Sequence, residues 1–180
     1  DSMASDSSLT PSGNPAIASG DRSIALGADS PFAGTNAQCE ANFTDAIAIG
    51  TSAFASGMSC VSIGNIAKSR SFDVTIGNSA GRYTSSGGSN VRIGNSASLN
   101  SCTQSVYIGN YNVGVGYEAG KTLSTGTNNT LIGSNSAPSV NNVSNEITLG
   151  DSSVSALRCA VTTITSLSDE RDKSEIKDLE

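Results

Sequence analysis

The chain has 180 residues, a net charge of −6 and a pI near 4.5; aromatic residues are only 4% of it, and it has no Trp and no His. That composition excludes a core built on large rings, and it excludes Ser-His-Asp catalysis, Cys-His catalysis and the usual zinc-hydrolase sites. With no basic stripe and no run of 18 apolar residues, neither nucleic-acid binding through phosphate neutralisation nor membrane insertion is expected.

Residues 1–23 are polar, contain Pro11 and Pro15, and read as a lead-in or linker. From residue 24 to residue 150 one pattern recurs: apolar, variable, apolar, Gly. Its copies end at Gly27, Gly50, Gly64, Gly77, Gly94, Gly109, Gly116, Gly133 and Gly150. The residue before each Gly is Ile, Leu or Val, and the residue three before is Ile or Val in every copy except the one holding Thr130. Side chains alternate across a strand, so the two apolar slots share one face. That face is expected to be the buried core, with Ile49, Ile63, Ile76, Ile93, Ile108 and Ile132 as its rows. The variable slot, including Arg92 and Tyr107, is expected to point elsewhere. A disordered chain has no reason to place β-branched residues at period two.

Gly closes each strand because it turns the chain at no steric cost. Three residues later comes Ala or Ser in every copy except the one with Asn112, which suggests a tight inside corner. A basic coil near 14 residues, made of two halves of seven, accounts for most of the spacing. The Gly- and Ser-rich stretches 85–89 and 125–128 read as loops bulging from it. Two short strands per coil make a parallel β-solenoid. So thin a core calls for several chains side by side, and a parallel homotrimer is expected.

Cys39, Cys60, Cys102 and Cys159 form no CxxC pair, so no metal site is expected and no cofactor is called for. They read as small buried hydrophobes, with a Cys39–Cys60 disulfide as the alternative. Tyr107, Tyr111 and Tyr117 read either as tyrosines stacked along the ladder or as a glycan contact. Residues 151–167 carry Leu157, Cys159 and Val161 at period two and read as a strand-rich trimeric stem. Residues 168–180, nine of whose last twelve are charged, read as a short helix.

The run Asp45-Ala46-Ile47-Ala48-Ile49-Gly50 and its copies resemble the repeats of YadA-type heads of trimeric adhesins. The resemblance covers residues 24–150. It implies an all-β, left-handed parallel β-roll with three chains packed side by side. The run Ser168-Asp169, Arg171, Lys173 and Ile176 resembles the start of the endosialidase-type intramolecular chaperone, which follows the fibre domain in many phage tail spikes and fibres. Residues 145–153 and 157–160 are also similar to fibre proteins of marine phages that carry this chaperone. The chaperone resemblance implies self-cleavage between Ser168 and Asp169, with Ser168 as nucleophile and Lys173 as base. A complete chaperone needs more chain than the twelve residues after Ser168, so cleavage is expected only in a longer precursor. The expected function is therefore a structural and adhesive segment of a phage tail or neck fibre, extracellular on the virion, supporting host attachment. Its partners would be its own copies and a host surface glycan or outer-membrane receptor. The alternative is the head of a bacterial trimeric autotransporter, which would continue into a coiled-coil stalk and a membrane β-barrel. Conventional enzymatic activity is not expected.

Overall fold

The computed structural model describes residues 3–5, 16–27, 39–97, 109–158 and 160. Among the described residues, thirteen strands of two or three residues, numbered along the chain, form two sheets. The first sheet has nine: β1 (Met3–Ser5), β3 (Ile24–Leu26), β5 (Ile47–Ile49), β7 (Val61–Ile63), β9 (Val74–Ile76), β10 (Val91–Ile93), β11 (Val113–Val115), β12 (Thr130–Ile132) and β13 (Ile147–Leu149). The second has four: β2 (Ile17–Ala18), β4 (Glu40–Ala41), β6 (Phe54–Ala55) and β8 (Lys68–Ser69). Among the described residues every pairing is parallel, and from β3 to β13 the first sheet joins equivalent residues of repeat copies, as in Val61↔Val74 and Ile63↔Ile76. Parallel pairing between strands as few as 13 residues apart, with no helix between, makes the protein a β-solenoid.

The solenoid begins earlier than the sequence suggested. β1 pairs with β3 and β2 pairs with β4, so part of the expected linker is already coil. Residues 151–158 contain no strand within the single chain, and 159 and 161–167, the rest of the expected stem apart from residue 160, lie outside the described residues. Residues 161–180, and with them the expected helix, lie outside the described residues, as does the repeat copy at 106–108. β10 pairs directly with β11.

The strands are short because left-handed residues bracket them. Two residues before β7, Ser59 has φ 50°, and two residues after the following Gly64, Ile66 has φ 56°. Asn and Asp tolerate this conformation, as at Asp45, Asn128, Asn135 and Asn145. Ile66 and Phe72 (φ 62°) adopt it at a steric cost. The repeat glycines stack in a column. A Cβ on Gly77 would lie 2.3 Å from the Gly94 carbonyl oxygen, so backbone contacts backbone with no room for a side chain.

The interior is narrow. In the first coils it holds Ala25, Cys39, Ala41, Ala46, Ala48, Ala53, Ala55 and Cys60, all fully buried. Ala53, Ala67, Ala80, Ala97, Ala119 and Ser136 form the small inside corner that the repeat implied. Cys39 and Cys60 are both free, buried thiols, so the disulfide alternative is set aside and the small-hydrophobe reading holds for these two; Cys102 and Cys159 lie outside the described residues. Burial pushes the Cys39 thiol up to about 11 and raises that of Cys60. Both should therefore stay unreactive toward iodoacetamide at pH 8 in the native protein and alkylate fully once it is unfolded. Peptide mass mapping reads this out, and native labelling of either residue would contradict the packing.

The second sheet ends at β8, and from Asp73 onward a polar rail continues the column that Ala46 and Cys60 occupy in the earlier coils. Asp73, Asn90, Asn112 and Asn129 are fully buried, each immediately before a strand of the first sheet. Asn112 donates from its backbone N–H and from Nδ2 to Asn90 Oδ1 (2.9 and 3.2 Å). It donates again from Nδ2 to the Gly126 carbonyl (2.9 Å). Its own Oδ1 accepts the backbone N–H and Nδ2 of Asn129 (2.9 and 3.0 Å). All the hydrogen-bonding positions of that amide are used, which is the condition for burying it cheaply. The rail starts at Asp73 Oδ1, which accepts from Asn90, and ends where the Glu146 N–H donates to Asn129 Oδ1 (3.0 Å). Asp73 Oδ2 accepts from the buried Arg92 guanidinium at 2.8 Å. The rail ties the wider coils together alongside the first sheet.

Candidate functional site

The candidate site is the outer face of the nine-stranded sheet. Within each strand the two apolar slots do share one face, but that face points out of the coil. The variable slot points in: Ala25, Ala48, Ser62, Thr75, Arg92 and Leu131 are fully buried. The expected core is thus inverted within the chain. Ile49, Ile63 and Ile76 are only partly covered, and Ile93 and Ile132 are 37% and 43% exposed. Ile108 lies outside the described residues. The physical reason is width. Coils of 13 or 14 residues leave room for Ala, Ser or Thr between their walls and not for Ile; Leu131 is enclosed because the coils on both sides of it are 17 residues long. Arg92 fits because its neighbour in the next rung is Gly114 and because Asp73 neutralises it.

The result is two parallel columns of aliphatic side chains on the surface. One runs Ile24, Ile47, Val61, Val74, Val91, Val113; the other runs Leu26, Ile49, Ile63, Ile76, Ile93, Val115. Register pairing places like residues one strand spacing apart, about 4.8 Å. A continuous apolar strip of this kind marks an association surface.

Tyr111 and Tyr117 are 65% and 51% exposed. Tyr111 stands two residues before β11 and Tyr117 two residues after it, so the strand separates them and they do not converge on one ligand position. Tyr107 lies outside the described residues. Ser168, Asp169 and Lys173 also lie outside them. Sequence reasoning missed the buried rail, although Asp73, Asn90, Asn112 and Asn129 all stand immediately before a repeat. It also missed a cluster of cations on the second sheet, described below.

Residues 12–30 and 44–65 match the YadA head domain repeat. These two YadA-type copies include β2, β3, β5, β6 and β7. Among solved structures, the chain is similar to the collagen-binding domain of the Yersinia adhesin YadA. Sequence identity is 22%, with 86% of this chain and 80% of that chain covered, at a TM-score of 0.49. No curated protein matches the chain. No helix among the described residues is long and apolar enough to cross a membrane.

Proposed function

We propose that this protein is the adhesive, structural segment of an extracellular trimeric fibre, with three chains parallel and their aliphatic columns packed against one another. The outward apolar face carries this reading. A strip of Ile, Val and Leu along the six rungs from β3 to β11 costs solubility unless it is covered, and a three-fold arrangement covers all three copies equally. The YadA-type repeats support adhesion as the role. Sedimentation equilibrium over a hundredfold concentration range tests the assembly. One species of three chains is expected; a stable monomer would refute it.

The fibre is assigned to a phage tail or neck, attaching the virion to a host surface receptor. The Ser168-Asp169-x-Arg171-x-Lys173 run favours this over a bacterial autotransporter head, which the YadA-type repeats fit equally. In a longer precursor the Ser168–Asp169 peptide bond is hydrolysed with consumption of one water, using the Ser168 hydroxyl and a neutral Lys173 amine. Assembly would bury Lys173 and lower its pKa, so cleavage follows trimer formation. Intact-mass measurement of the full gene product should show a fragment beginning at Asp169. Ser168→Ala and Lys173→Ala should each abolish it; release at the wild-type rate by both variants would rule out the dyad.

A further inference from the structure

The second sheet carries a different surface. Both sheets turn residues such as Ala48 and Ala55 inward, so their outer faces point away from each other. The second face therefore stays open when the aliphatic columns are covered. On it, Lys68 pairs in register with Phe54, and its ammonium sits 5.7 Å from the ring centroid. Arg70 follows two residues on, on the same side of the chain. In the next coil Gly81 stacks on Lys68, since a Cβ there would lie 2.3 Å from the Lys68 carbonyl oxygen. That puts the backbone of Arg82 and Tyr83 in the rung next to Ser69 and Arg70; both side chains are exposed, and the Arg82 guanidinium lies 5.4 Å from the Tyr83 ring centroid.

This cluster lacks counter-charges in a chain whose net charge is −6. Among the described residues, the ion pairs fall on Arg22, Arg92 and Lys121, and none on Lys68, Arg70 or Arg82. Arg70 Nε is buried without a hydrogen-bond partner. Burial, and then the neighbouring Arg70, lower the Lys68 pKa, so the two cations repel each other. The acid carried by the strands of this sheet is Glu40, in register with Phe54 and so one rung below it; its carboxylate accepts from Asn42 Nδ2 at 2.6 Å. Asp73 is turned inward to Arg92 and to the Arg70 backbone N–H.

We propose that Lys68, Arg70 and Arg82, with the rings of Phe54 and Tyr83, form a binding patch for an acidic polysaccharide. Carboxylate or sulfate groups pair with the three cations, and a pyranose ring packs on an aromatic face. Three copies per trimer would make binding multivalent. The patch deepens the adhesive reading and rests on it for its biological role.

Two probes test the patch, a heparin hexasaccharide and a hexagalacturonate, titrated by calorimetry into the full chain, with its oligomeric mass measured in the same buffer. At least one should bind, weakening as salt rises. The double variant Arg70→Gln/Arg82→Gln should lose about tenfold or more in affinity, as expected for lost charge-assisted bonds. Tyr83→Ala should also weaken binding, Arg82→Lys should retain most of it, and Lys121→Gln, at the distant Glu118 pair, should change nothing. The proposal is overturned if neither saccharide binds, if the double variant binds as well as wild type, or if inorganic polyphosphate of equal charge binds as tightly as the better saccharide. The measured mass separates this outcome from failure of the trimer reading.

Discussion

Gly77→Ala is expected to disrupt the solenoid at the middle of the first sheet and to leave the protein largely unfolded at 37 °C. Two costs fall on the same atom. Gly77 has φ 136°, a conformation that side-chain-bearing residues rarely adopt. The added Cβ would also lie 2.3 Å from the Gly94 carbonyl oxygen and 2.6 Å from its carbon. The neighbour cannot yield, because it is backbone held by the Gly94 N–H to Ile76 carbonyl bond at 2.8 Å. Backbone strain of about 1–3 kcal/mol adds to a similar overpacking cost. That sum is a large part of the stability of a small domain. Thermal denaturation followed by circular dichroism checks it. Ser79→Gly, at a left-handed corner two residues away, should be neutral or slightly stabilising, because it removes steric cost at φ 55°. Equal melting temperatures for Gly77→Ala and wild type would show that the glycine column is not close-packed.

The second large effect separates neighbours in one strand. In β5, Ala48 is fully buried and Ile49 is on the outer face. Ala48→Asp would put a carboxylate among Ala25, Ala46, Ala55 and Cys60, where no cation lies within the alanine-lined interior. An unpaired buried charge costs several kcal/mol, and the coil should unfold at any protein concentration. Ile49→Asp meets water within the single chain, so its cost falls on assembly. The expected result is a concentration-dependent loss of the trimer, with strand signal retained wherever chains remain associated. If Ile49→Asp assembled like wild type, the outer columns would not be the interface.

The solenoid itself was legible because Gly, β-branched and small residues recur at fixed offsets, and each has a local steric cause. Which side of the strand is inside was not legible. Alternation says that Val74 and Ile76 share a face, but it does not say which face is enclosed. That depends on coil width, which emerges only when the 14-residue turns close around Ala48 and Ala55. The upstream start was missed because Met3–Ser5 and Ile17–Ala18 lack the terminal Gly of the repeat. The buried rail was written in the sequence as Asp73, Asn90, Asn112 and Asn129 before successive strands. Polar residues beside a turn ordinarily read as surface, so only the closed coil shows them stacked. The cations at Lys68, Arg70 and Arg82 are scattered in sequence, and coil stacking alone brings them together.

Native mass spectrometry of the wild-type chain beside Ile49→Asp tests the central claim most directly. At micromolar concentration the wild type should appear at three times the 18.1 kDa chain mass, and the variant should shift toward one chain. A wild-type spectrum showing only the single chain, folded and stable on dilution, would contradict the account of the outward apolar columns as a three-fold interface.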